Sequence, residues 1–107
     1  MRKTMLGVLL LIGVASVASA QDKAKGEAVF TAQKCSLCHS VAGKGNPKGA
    51  LDDVGSKLKA EDIRAWIVDA KAQTAKTGAT RKPDMKAYSL PKEDVDNLVA
   101  YLQTLKK

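Results

Sequence analysis

Side chains able to hold a metal are scarce in this sequence. His39 is the single histidine, and Cys35 and Cys38 are the only cysteines. A structural zinc site draws on about four such ligands, so zinc would have to recruit carboxylates from elsewhere. A plain disulfide between Cys35 and Cys38 would close a very small loop and stabilise little. A second histidine, which could serve as an acid–base partner to the first, is missing. Aromatics are few as well. Beyond residue 20 they are Phe30, Trp66, Tyr88 and Tyr101. That is little to stack on bases, and no nucleic-acid-binding motif accompanies it, which excludes nucleic acid as a partner. The one sustained apolar run, Met5 to Val17, is short and rich in small residues, and makes a poor membrane span. No stretch alternates apolar and polar as a half-buried strand does.

That apolar run has a different reading. Met1-Arg2-Lys3-Thr4 is a basic start, and Ala18-Ser19-Ala20 is a small-residue cleavage site followed by polar Gln21-Asp22-Lys23. The order is that of a secretory signal peptide over residues 1–20. The expectation is an exported, periplasmic protein with no stable membrane insertion, and a single domain over residues 21–107. Removing Arg2 and Lys3 from 18 basic residues leaves 16 against 11 acidic ones, a net charge of +5. A basic surface favours encounter with acidic partners. A domain this short buries little apolar surface and usually needs a staple. A large apolar cofactor would supply it.

Three helical patterns organise the rest. The first spans about Asp22 to Lys34, with Gly26, Val29, Phe30 and Gln33 on one face. The second begins near Lys59, with Ile63, Trp66, Ile67 and Ala70 at helical spacing. Glu61 and Asp62 in its first turn suit the helix dipole. The third starts at Pro91, which is favoured at a first helical position. Glu93 lies where it could cap that start, and Val95, Leu98, Val99, Leu102 and Leu105 form the stripe. Two loops, about 40–56 and 73–89, separate them. The second is long for a structureless connection, and such loops are usually functional or disordered. The fold class is all-α.

Cys35-Ser36-Leu37-Cys38-His39 is a C-x-x-C-H sequence, the signature of c-type haem attachment. Two thiols on one turn can add to the two vinyl groups of a haem, and the next residue directs an imidazole at the iron. A thioredoxin-like dithiol would expect a βαβ pattern around it, and none is visible. Haem electron carriers often pair His with Met. Met1 and Met5 leave with the signal, so Met85 in the second loop is the methionine that remains. Lys82, Lys86, Tyr88, a water or an open position are the alternatives. A lone Met elsewhere would be read as core filling.

These residues resemble a bacterial class I cytochrome c across nearly the whole mature length. Gly26 to Phe30 followed by Cys35 to His39 is similar to the family's first helix and haem motif. Leu98 to Leu102 is similar to its last helix. The resemblance implies a small cytochrome c fold, with three main helices wrapped around one covalently bound haem c. It implies that Gly26 lets the first helix approach Tyr101 on the last, that Met85 is the axial thioether, and that Trp66 lies near the haem. Two features depart from the family pattern: Pro83 precedes Met85 instead of following it, and Pro47 stands two residues further than usual from Leu51. The carbonyl that accepts the His39 ring N–H is then that of Pro47 or Gly49.

The expected function is single-electron transfer without enzymatic turnover, by a monomer that meets redox proteins. Lys34, Lys44, Lys48, Lys82 and Lys86 flank the motifs and are placed to ring an exposed haem edge facing an acidic partner. Alternatives are a haem peroxidase or small-ligand-binding protein with an open sixth position, and a cytochrome subunit of a larger respiratory complex.

Overall fold

A computed structural model describes residues 22–106. The signal peptide reading and Gln21 lie outside the described residues. Helix α1 covers Lys23–Ala32, α2 Val54–Lys57, α3 Ala60–Val68, α4 Ala70–Thr77 and α5 Lys92–Gln103. The chain is all-α apart from a small ribbon, in which β1 (Ser40–Val41) pairs antiparallel with β2 (Lys44–Gly45).

The first and last helices form the frame. Asp22 caps α1, its carboxylate accepting from the Ala24 and Lys25 N–H groups at 2.9 and 3.1 Å. Those donors would otherwise be orphans of the first turn. α1 buries Gly26 and Phe30, and α5 buries Val95, Leu98, Val99 and Leu102. They cross where Gly26 sits. A methyl group at Gly26 would overlap the Asn97 backbone carbonyl, so this approach needs glycine. Beside the crossing, Asp22 N–H donates to Asn97 Oδ1 at 2.8 Å. Phe30 meets Tyr101 edge to face, with ring centroids 5.8 Å apart. The expected Gly26–Tyr101 approach is therefore present. Helix α3 completes the core with Ile63 and Ile67.

Several boundaries differ from the sequence reading. The second helix ends at Val68, where Asp69 leaves helical geometry (φ −146°, ψ 52°), and α4 begins at Ala70. Ala70 is buried as expected, but from α4. Because α4 runs to Thr77, the irregular segment is shorter than predicted and spans 78–91. Pro91 stands one place before α5, as its cap residue, and no side chain caps that end, Glu93 included. Leu105 lies past α5, and its carbonyl accepts the Gly55 N–H at 2.8 Å, tying α2 to the C-terminal end. The 40–56 segment is not structureless: it holds the ribbon, a 3₁₀ turn at Pro47–Gly49, and α2. Two-residue strands are too short to show alternation. The ribbon is made by its turn, where Ala42 and Gly43 both have positive φ, and by Asp52 Oδ1, which accepts the Ala42 N–H at 2.6 Å.

Candidate functional site

The C-x-x-C-H residues form a tight bend directly after α1. Lys34 takes left-handed backbone geometry, Cys35–Leu37 make a 3₁₀ turn, and Cys38 and His39 N–H both return to the Cys35 carbonyl at 3.1 and 2.9 Å. Both thiols are free and half-buried. Burial pushes the Cys35 thiol above its ordinary range, with the neighbouring Cys38 adding to the rise. Asn46 braces the bend: its N–H lies 3.1 Å from both the Ser36 and His39 carbonyls, and its side-chain amide donates to the Leu37 carbonyl at 3.3 Å.

His39 is held from one side. Its Nδ1 lies 2.9 Å from the Gly49 carbonyl oxygen. A carbonyl only accepts, so Nδ1 carries the proton and Nε2 keeps the lone pair. Of the two carbonyls left open by the sequence, Gly49 is the partner. Gly49 must be glycine, because a Cβ there would overlap the Cys38 carbonyl and lie 2.9 Å from His39 Nδ1. Burial lowers the His39 pKa, the Gly49 carbonyl opposes that, and the Arg81 charge lowers it again. The net shift is downward, toward the neutral form that a metal ligand needs.

Cys35, Cys38, His39 and Met85 line one cavity of about 480 Å³. Its size is that of a cofactor pocket. Phe30, Ile63, Ile67, Leu98 and Leu102 belong both to the buried core and to this cavity's wall. The core therefore has an apolar face turned inward toward the pocket, and a flat apolar group seated there would complete it. Trp66 also lines the cavity, as the resemblance implied. The residues fit a haem: two thiols on one bend, an imidazole, a thioether and apolar walls.

Met85 is half-buried, whereas Lys82 and Lys86 beside it are exposed. Lys82 is paired with Asp84 at 2.8 Å, and the Lys86 ammonium stands 5.1 Å from the Tyr88 ring centroid. Burial raises the Tyr88 pKa, with the two cysteines adding to it, which disfavours a phenolate ligand. Of the five flanking lysines, Lys34 and Lys86 stand at the cavity, while Lys44 and Lys48 lie on the ribbon and the turn after it.

The sequence reading missed Arg81. Its Nη2 donates to the Cys38 carbonyl at 2.7 Å, and the residue lines the cavity. One signal was available: an arginine stands in a chain whose other cations are nearly all lysine, and a rigid planar donor fork suits fixed carbonyl contacts.

The sequence model of the cytochrome c family matches residues 23–106. The chain belongs to the cytochrome c family and is a class I c-type cytochrome, a haem-binding protein of electron transfer. It is also 34% identical over 92 residues to cytochrome c oxidase subunit 2 of Alkalihalophilus pseudofirmus, covering 77% of this chain and 25% of that protein. The chain thus spans about a quarter of the length of that curated relative. No solved structure matches it.

Proposed function

We propose that the protein is a single-electron carrier with one haem c, joined through thioethers to Cys35 and Cys38 and ligated by His39 and Met85. The observation that carries this reading is the convergence of those four side chains on one apolar cavity. When bound, the haem supplies the ferric–ferrous couple. The chain's own residues do the rest. The Gly49 carbonyl fixes the His39 tautomer and orients its ring. Met85 offers a soft, neutral donor, which favours the reduced state and raises the potential. The core residues along the wall exclude water. No second imidazole exists to act as a distal acid–base group, which argues for a carrier over an enzyme. Export to the periplasm is supported by the basic, apolar and small-residue order of residues 1–20. Redox proteins with acidic docking surfaces would meet the exposed Lys34 and Lys86 at the cavity, with rates that fall as salt rises.

The test is protein made in cells competent for haem attachment. Its mass should equal residues 21–107 plus one haem, and the ferric form should show the weak far-red sulfur-to-iron band. A colourless product with the mass of bare polypeptide would overturn the reading. A second reading, a cytochrome module docked in an oxidase, draws on the similarity to an oxidase subunit. Sizing of native protein separates the two: a free monomer near the chain's own mass favours the carrier.

A further inference from the structure

Met85 lies in the irregular segment between α4 and α5, and two hydrogen bonds pin that segment across to the rest of the protein. Tyr88 N–H donates to the Ile67 carbonyl at 2.8 Å, just after Met85. Arg81 Nη2 donates to the Cys38 carbonyl at 2.7 Å, just before it. The second pin lands on the residue immediately before His39. Its guanidinium also stands beside Gly49, the residue whose carbonyl orients His39: a Cβ built on Gly49 would lie 2.7 Å from Arg81 Nη1 and 2.9 Å from His39 Nδ1. One side chain thus touches both the bend that carries the imidazole and the carbonyl-bearing residue that fixes it, while its backbone belongs to the segment that carries the thioether.

We propose that Arg81 is a positioning residue that latches the Met85 segment onto the His39 bend, so that the spacing of the two axial donors is set by one guanidinium. This rests on the reading of Met85 as a ligand. The planar fork explains the residue type: one nitrogen serves the Cys38 carbonyl while the other fills the space over Gly49. A lysine offers one point charge and leaves that space open. Lys82, the next residue, is the natural control. It is exposed, and it pairs with Asp84 of its own segment.

The experiment compares haem-loaded wild type, M85A, R81A, R81K and K82Q. The readouts are carbon monoxide binding to the ferrous form, the ferric far-red band, and hydrogen exchange along α1 and α5. A closed wild type and a carbon monoxide-binding M85A establish Met85 as ligand. The latch then requires R81A to bind carbon monoxide about tenfold or more tightly than wild type, the equivalent of roughly 1.4 kcal/mol, with a weakened band and unchanged exchange in α1 and α5. R81K should fall between, and K82Q should match wild type. If M85A opens and R81A stays closed with its band intact, the latch is wrong and the ligand reading stands. If wild type already binds as M85A does, the ligand reading itself fails. Should R81A not fold, R81Q decides by the same readouts.

Discussion

Helices α1, α3 and α5 meet through Phe30, Ile63, Ile67, Val95, Leu98, Val99 and Leu102, all buried. The segments that carry the proposed ligands are held differently. Beside the packing of Cys35, Tyr88 and Leu90 against that core, the His39 bend is placed by polar contacts with Asn46, Gly49 and Arg81, and the Met85 segment by Tyr88 N–H and Arg81. Each buried apolar side chain contributes about 1.5–3 kcal/mol. A net hydrogen bond contributes about 0.5–1.5 kcal/mol. The frame therefore carries stability and the loops carry placement. Damage to one should leave the other's signature readable.

Loss of both thiols should break both at once. C35S/C38S is expected to give protein without covalent haem, and with it the loss of the group that completes the core wall; intact mass and circular dichroism report this. Within the frame, Leu98→Ala should cost about 2–5 kcal/mol. Gly26→Ala should cost about 1–3 kcal/mol, because the added methyl group meets the Asn97 carbonyl. Denaturant titration measures both, and the far-red band should persist in the folded fraction. In the loops, Met85→Ala should abolish that band while lowering stability less than Leu98→Ala does.

The smallest effect lies on the outer face of the frame. Asp96 accepts from Lys92 Nζ at 2.8 Å and Arg64 Nη2 at 2.6 Å, and these two cations hold its carboxyl below the ordinary 3.8. A depressed folded pKa stabilises above the unfolded value, and the contribution is lost as pH falls through the folded one. Asp96→Asn should therefore lower the melting temperature slightly near neutrality and converge with wild type at acid pH, which flattens the acid limb. An unchanged acid limb would remove the ion pair from the account.

The same division explains what the sequence revealed. Apolar periodicity located α1, α3 and α5, and the family resemblance implied the close approach of Gly26 to Tyr101. The C-x-x-C-H spacing singled out Cys35, Cys38 and His39, because covalent haem attachment would demand that order. The rest of the site was less legible because it depends on carbonyls and turns. Nothing in residue type separates the Gly49 carbonyl from that of Pro47. The contact settles it: the Gly49 oxygen stands at hydrogen-bonding distance from the ring. The break at Asp69 was hidden because Ala70 keeps the helical spacing of Ile63, Trp66 and Ile67 across it. Arg81 was overlooked because its partner is a backbone oxygen far away in sequence.

The bond from Asp22 to Asn97 joins positions 75 residues apart. A ring fastened by its two ends cannot shut before the second end exists. During vectorial synthesis the Cys35–His39 bend emerges well ahead of α5. On the proposed covalent attachment, its sulfurs would stay open to haem until the last helix arrives and fastens the ring.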